Sequence, residues 1–333
     1  MEDKILAGHG SGGRLMNDMI DNLIRRTLGL ESIQLDDSAV LDIVPGKVAF
    51  TTDTFVITPL LFPGGDIGKL AVNGTVNDLA VMGARPLYLS CGLILEEGLE
   101  MSLLKRVLES MRTAADYGGV RIVTGDTKVV GRGSADKIFI NTAGIGLVEK
   151  GLQRRPIESG DKILISGYVG DHGVAVMAER NRFSFTKGLQ SDCAPVNHIV
   201  RELLDEVPGG IKFMRDPTRG GVASVLNEIV KNQPFAAKLY EEDVPVRQEV
   251  RGVCDLLGID PLYVANEGKL ICIVPPSQAE AALNAMKRAA EGEEARMIGE
   301  ITEEYPGKAY LETGLGGKRI LPLLTEEQLP RIC

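Results

Sequence analysis

Apolar residues recur at helical spacing from Leu15 to Leu28, and Gly29 supplies a stop. Two short apolar runs follow, Ser38 to Val44 and Lys47 to Thr52, and both read as strands. Asp36-Asp37 precedes the first and Asp53 follows the second. The stretch from Asp66 to Gly83 is apolar apart from one polar line. Asp66 is placed to cap a helix and Gly83 to end it. Inside, Lys69, Asn73 and Asn77 fall four residues apart, with Asp78 beside them. A solvated helix face prefers Glu and Lys to Asn, so this stripe reads as buried and turned toward a ligand.

Ser102 to Tyr117 has the pattern of a surface helix. Val120 to Thr124 then reads as a strand running out into Gly125-Asp126-Thr127-Lys128, and Lys137 to Val148 as another, interrupted at Asn141-Thr142 and Gly144. Gly151 to Pro156 reads as a linker. Beyond it strands and helices alternate: Lys162–Ser166, Gly173–Ala178, Val196–Val207 and Ile211–Met214. Arg215-Asp216-Pro217-Thr218-Arg219-Gly220-Gly221 opens a helix through Val230, a strand–turn–helix start suited to an anion. Asn266-Glu267-Gly268-Lys269 reads as a hairpin turn before the strand Leu270 to Val274. A helix over Ser277 to Glu291 and the loop Gly314-Leu315-Gly316-Gly317 lead to the end. After Thr325 no apolar period remains, so the last nine residues are expected to form a mobile tail. Extended chain advances about 3.3 Å per residue, so such a tail sweeps roughly 30 Å. It ends in Cys333, which is not a prenylation box, since that requires the Cys four residues from the end.

The 333 residues suggest two domains. A net charge of −9 argues against nucleic acid as partner. There is no long apolar run and no basic start before an apolar segment, so neither a membrane span nor a secretory signal is expected. The five cysteines form no CxxC pair. Cys91, Cys254 and Cys272 read as small core residues, and Cys193 stands in a loop-like stretch of ambiguous role. These features predict a reduced, cytoplasmic protein.

The candidate chemistry is that of a nucleotide. Gly8 to Arg14 contains Gly10, Gly12 and Gly13, whose backbone amides can wrap a phosphate, although no GK[ST] follows to make a P-loop. Asp36, Asp37, Asp53, Asp78 and Asp126 fall at element ends or on the polar stripe. Such hard oxygen ligands, with Lys69 and Lys128 nearby, suit Mg²⁺ carrying a polyphosphate.

Taken together, the Gly-rich start, Asp36-Asp37, Thr51-Thr52-Asp53, Gly68–Gly83, Gly125-Asp126-Thr127 and Asp216–Gly221 resemble the aminoimidazole ribonucleotide synthetase (PurM-like) superfamily in order along nearly the whole chain. The ending Pro330-Arg331-Ile332-Cys333 is similar to that of its HypE branch of hydrogenase-maturation proteins. The resemblance implies an α/β (α+β) chain of two PurM-like domains. Residues 1–150 would bind ATP and pair in a homodimer through a mixed sheet. Residues 156–324 would form an α/β sandwich, and 325–333 the flexible tail. It implies ATP and Mg²⁺ as cofactors, with Asp216 joining the metal set. Thr127, Asn141, Arg219 and Gly220 would join Gly10, Gly12, Gly13, Lys69, Asn73 and Asn77 at the nucleotide. The implied activity is ATP-dependent dehydration of a carbamoyl group carried on Cys333. A HypF-type carbamoyltransferase would load the thiol, and a HypC–HypD complex would accept the cyano group for [NiFe]-hydrogenase assembly. Lys128 would supply charge and Glu267 the base. The other readings are a selenophosphate synthetase, which usually carries Cys or Sec in its Gly-rich arm where Gly8–Arg14 has none, an amide-activating cyclase, and a non-catalytic scaffold.

Overall fold

The computed structural model describes residues 3–11, 14–31, 39, 41, 46–148, 155–181, 188–324 and 331–333. Most of the expected strand over Ser38 to Val44, most of the linker and residues 325–330 of the tail therefore lie outside the described residues. The chain is mixed α/β, built on two larger sheets.

Helical backbone over Arg14–Met19, a π-helical Ile20–Arg25 and Arg26–Leu28 opens the chain, and Gly29 ends it in the left-handed region at φ 71°. The first sheet follows from β1 (Lys47–Phe55). Helix α1 (Ile67–Val81) leads to β2 (Ala84–Glu96), α2 (Met101–Gly118), β3 (Arg121–Val130) and β4 (Ile138–Val148). Strand order is β1-β4-β2-β3. Only β2 and β3 run parallel, because α2 carries the chain back between them. Period-two alternation turns Ala49, Thr51, Asp53 and Phe55 of β1 inward, and leaves Val48, Phe50, Thr52 and Thr54 on an open face.

The second sheet uses β5 (Lys162–Ile165), β6 (Phe213–Arg215), β7 (Ala236–Tyr240), β8 (Ile271–Val274), β9 (Arg296–Thr302), β10 (Ala309–Glu312) and β11 (Lys318–Ile320), in the order β11-β10-β7-β9-β5-β8-β6. Helices α3 (Asp171–Asn181), α4 (Asn197–Glu206), α5 (Gly221–Val230), α6 (Gln248–Leu257) and α7 (Ala279–Arg288) accompany it.

Helix α1 joins the two halves. Asp66 caps it as its sequence position predicts, accepting from the amides of Gly68 and Lys69 at 2.8 and 3.0 Å. Its apolar residues fill the core under the first sheet, while Ala80 and Val81 enter the core around α4 and α7. The same helix thus has no free side, which is why its apolar residues run around it. Its asparagines face the second half. Asn77 donates to the carbonyls of Ala194 and Glu267 at 3.2 and 3.3 Å and accepts from the Val196 amide at 2.7 Å.

The Gly314–Gly317 segment is a closed turn between β10 and β11. The Gly316 amide reaches Thr313 O and the Thr313 amide reaches Gly317 O, both at 2.8 Å. Leu321 beyond it is fully buried. These glycines, which could have served as a hinge before the tail, serve a hairpin instead. Asn266–Lys269 departs from expectation too. The preceding Pro261–Tyr263 is a 3₁₀ turn, not a strand, so the segment does not close a hairpin. It crosses the junction between the halves.

Gly68 shows how closely α1 is packed on α2. A Cβ there would lie 2.4 Å from the Val107 carbonyl oxygen, a backbone atom that cannot rotate away. Gly68→Ala is expected to cost about 1–3 kcal/mol, the usual range for overpacking, and to lower the urea midpoint without changing the slope. An unchanged midpoint would contradict this packing.

Candidate active site

Four carboxylates meet where the halves join. Asp53 points inward from β1 and Asp78 from α1. Asp216 follows β6, and Glu267 lies in the segment that crosses the junction. Together with Arg219 and Cys333 they line one cavity of about 40 Å³. Asp78 accepts from the Thr51 hydroxyl at 2.8 Å and Asp53 from the Thr54 amide at 2.8 Å. Asp216 is buried and its pKa is pushed up to about 7, first by loss of solvent and then by Asp78 and Asp53. Burial also raises the pKa values of Asp53 and Asp78. Glu267 is 2 % exposed, and burial pushes its carboxyl well above the usual range, with Asp216, Asp192 and Asp53 adding to the rise. Its Oε1 is buried without a hydrogen-bond partner. Arg219 is the cation that lowers both Glu267 and Asp53. The arrangement stores negative charge and has an unmet demand for a proton or a cation.

The chain terminus enters this cavity. Arg331–Cys333 runs alongside the residues after β1, with the amides of Val56 and Thr58 donating to Cys333 O and Arg331 O, both at 3.3 Å. The Arg180 guanidinium donates to Thr58 O at 2.6 Å and to Arg331 O at 2.9 Å. Arg331 donates to Val56 O at 3.1 Å and pairs with Asp136. Ile332 is 2 % exposed and belongs to the first core. The end of the expected mobile tail is therefore seated, and Cys333 is half-buried against the carboxylates.

Other expected site residues lie elsewhere. Asp53 does not end a strand, because β1 continues through Thr54 and Phe55, which pair with Asn141 and Ile140. Asp126 is likewise inside β3, not at its exit. Asp126 stands opposite Gly92, which stands opposite Asn141 and then Thr54, so all four share the open face. Asp53 and Asp78 lie on the other side of that sheet, and the alternation of strand side chains separates the two sets. Lys128 shares the Asp126 face and donates to Asp126 Oδ1 at 2.7 Å, which holds that carboxyl below its usual range. Asn141 spends its amide on Thr52, Thr54 and the carbonyl of Asp53. Thr127 turns into the core and is buried.

The helix stripe is buried as expected, but protein atoms meet much of it. Lys69 donates to Gly64 O at 2.9 Å, Asn73 donates to the Cys193 thiol at 3.6 Å, and Asn77 is saturated by backbone groups across the junction. Gly10 packs on β3, where a Cβ would sit 2.8 Å from that of Val129. Gly220 takes φ 73° at the start of α5, next to Arg219. Gly12, Gly13, Asp36 and Asp37 lie outside the described residues. Among the described residues no three His, Cys, Asp or Glu side chains converge as a metal site.

Sequence reasoning missed His172, Ser191, Asp192 and Arg180. The available signal was the set Gly170-Asp171-His172-Gly173, a histidine between glycines at a strand-to-helix turn in a chain with three histidines. All five cysteines are thiols, and Cys91, Cys193, Cys254 and Cys272 are buried.

Residues 35–148 match the AIR synthase related protein N-terminal domain, and residues 158–312 match the corresponding C-terminal domain. The chain is 45 % identical to the carbamoyl dehydratase HypE of Rhodobacter capsulatus, over 100 % of this chain and 99 % of that one. A crystal structure of hydrogenase maturation protein HypE in complex with ATP superposes with a TM-score of 0.92 at 49 % identity, covering 98 % of this chain and 99 % of the other. The corresponding values for a HypE–HypF complex are 0.80 and 43 %, over 94 % and 100 %. By agreement along its whole length, the chain belongs to the HypE family of carbamoyl dehydratases, within the AIR synthase related group.

Proposed function

We propose that this chain uses ATP to dehydrate a carbamoyl group carried on its own Cys333, converting the S-carbamoyl cysteine to a thiocyanate that supplies a cyanide ligand for hydrogenase assembly. The observation that carries this reading is Cys333 seated in the carboxylate cavity between the two halves. About 10–15 Å³ of such space suffices for one water. The cavity of about 40 Å³ therefore admits roughly three non-hydrogen atoms, as many as a carbamoyl group adds to a thiol.

The chemistry follows from the amide. Its oxygen leaves poorly, so it first attacks the γ-phosphorus of ATP, releasing ADP as the nitrogen loses one proton. The C–O bond then breaks, phosphate departs, and the nitrogen loses its second proton as the C≡N bond forms. Glu267 is our candidate for the base. The burial that raises its pKa makes its ionised form a stronger base than a solvated glutamate, and its Oε1 has no other partner. Arg219, beside it, favours that ionised form.

Although no three described carboxylates converge on one point, those of this cavity could share Mg²⁺ with ligands from the nucleotide. Beyond the effect of burial, Asp78 raises the pKa of Asp53, and Asp78 and Asp53 both raise that of Asp216, so a cation arriving with the nucleotide would relieve that repulsion. When bound, Mg²⁺ would neutralise charge on the transferring phosphoryl group. The remaining ligands would be phosphate oxygens and water, with Asp36 and Asp37 as further candidates.

On this reading residues 1–150 bind nucleotide and pair in a homodimer, 156–324 complete the cleft, and 325–333 carry the thiol. Val48, Phe50 and Ile94 are exposed on the open sheet face, Phe50 by 71 %, and a second copy would bury them. Asp126, Lys128 and Asn141 stand on that face, so any role at a nucleotide would be played at the dimer. The four buried cysteines fit a reducing cytoplasm. The HypE–HypF complex supports a HypF-type carbamoyltransferase as the enzyme that loads Cys333. A HypC–HypD complex would receive the cyano group.

Cys333→Ala is expected to keep the fold and ATP binding but to transfer no cyano group; full transfer by this variant would remove the central claim. Asp78→Asn should slow dehydration by about a hundredfold or more, the scale for losing one electrostatic stabiliser, while the partner still carbamoylates Cys333. Mass spectrometry of the C-terminal peptide separates these steps, and normal thiocyanate formation would dismiss Asp78 from the metal set. Since the other four thiols are buried, a thiol reagent reports on Cys333. Mg·ATP should protect it, whereas equal labelling with and without nucleotide would mean that ATP does not seat the tail. Phe50→Glu should sediment as a monomer; an unchanged dimer would place the interface elsewhere.

A further inference from the structure

His172 is fully buried at the start of α3, and both ring nitrogens are engaged. Nε2 lies 2.8 Å from the Ile332 carbonyl oxygen of the seated tail, and Nδ1 lies 2.8 Å from Ser191 Oγ. Phe62 packs edge-on against the ring, with centroids 5.4 Å apart. Burial pushes the His172 pKa down, so the ring is neutral and has one donor and one acceptor. A carbonyl only accepts, which assigns the proton to Nε2. Nδ1 then accepts from the Ser191 hydroxyl, and Ser191 Oγ accepts from the Cys193 amide at 3.0 Å. The chain of donors has one consistent direction, and it ends on the tail.

The other end of this loop holds Glu267. Asp192 accepts from the Glu267 amide at 3.1 Å and from the Gly268 amide at 3.3 Å, and pairs with Lys269 at 3.3 Å. Gly268 lies so close to the loop that a Cβ would stand 1.9 Å from the Asp192 carbonyl oxygen. Asn77 holds Glu267 O and Ala194 O with one amide group. Glu267 thus rides on the loop at 191–194, and His172 joins that loop to the tail.

We propose that His172 is a positioning residue that reads the seated tail through the Ile332 carbonyl and, through Ser191, sets the loop that carries Glu267. Insertion of Cys333 and placement of Glu267 are then one event. When the tail leaves, the imidazole N–H loses its acceptor inside a buried site, and the Ser191 link loses its fixed orientation. The coupling is reciprocal, so a correctly set loop also favours the seated tail. This inference rests on Glu267 acting in the dehydration.

The test uses full-length protein S-carbamoylated by the loading partner, with Mg·ATP. It measures single-turnover thiocyanate formation, and in parallel the protection of uncarbamoylated Cys333 from a thiol reagent. Ser191→Ala removes the link and leaves the tail contact. It should keep protection and slow dehydration about tenfold or more, the scale for a small misplacement of a reacting group. His172→Gln places an amide nitrogen near the Nε2 position and should behave like Ser191→Ala. His172→Asn keeps the Ser191 end and should lose protection. Labelling at the four buried cysteines exposes any variant that fails to fold, and Ser191→Ala alone then decides. Dehydration by Ser191→Ala at the parent rate would overturn the proposal. Loss of protection in Ser191→Ala would overturn it too, because the loop would then be part of the dock. Glu267→Gln separates the two claims. If it dehydrates normally, the base assignment fails; if it is inactive while Ser191→Ala is unaffected, only the coupling fails.

Discussion

The junction depends on holding carboxylates together in a place with little water. Asp53, Asp78, Asp216 and Glu267 come from β1, α1, the turn after β6 and the segment before β8. No local sequence signal brings them together. Buried like charges destabilise a fold unless something neutralises them. Here the surrounding structure fixes three of them. Asp78 is on a helix packed on every side, Asp53 is in a strand paired along its length, and Glu267 is held by backbone contacts to Asn77 and Asp192. Their pKa values are raised first by loss of solvent and, for Asp216 and Glu267, further by neighbouring carboxylates, a cost that the scaffold tolerates and that a cation or a proton relieves. Such a site is built to receive a proton or a cation.

Local rules made much of the framework legible. The Asp66 cap, the Gly29 and Gly83 stops and the burial of the asparagine stripe all follow from single helical turns, and the structure has each of them. The destination of the stripe was not legible. Asn77 meets backbone atoms 117 to 190 residues away, and nothing near Asn77 announces them. The strands exposed a different weakness. Asp53 and Asp126 each follow a run of apolar residues and so look like strand exits, yet both strands continue because their partners continue. Register then decided their faces, placing Asp53 inward and Asp126 outward. An acidic residue followed by Thr reads alike on either face.

His172 was hidden for a related reason. Its meaning comes from two contacts, one to residue 191 and one to residue 332, and from burial that sequence pattern does not disclose. Arg180 is similar, since its carbonyl partners are 122 and 151 residues distant. Of the tail, the described residues are Arg331–Cys333, and these are seated rather than mobile. Ile332 is the one large apolar side chain after Leu329, and it is the side chain that enters the core.

That placement shows how a chain end can be docked accurately by few contacts. A chain end held only by the thiol would have no register, and a chain end held by many apolar residues would not leave. Arg331–Cys333 uses one buried side chain together with backbone hydrogen bonds to Val56, Thr58, His172 and Arg180. Backbone contacts of this kind are each worth about 0.5–1.5 kcal/mol net, because water offers the same groups comparable partners once the tail withdraws. A few such bonds give a seated state whose stability is comparable to the entropy lost on ordering three residues. On the proposed function, the equilibrium would then be close enough to balance for nucleotide in the cleft, or a partner outside it, to choose the position of Cys333. The rigid part of the device is the surface that receives the tail, and its precision comes from α1, β1 and the loop at 191–194 rather than from the tail.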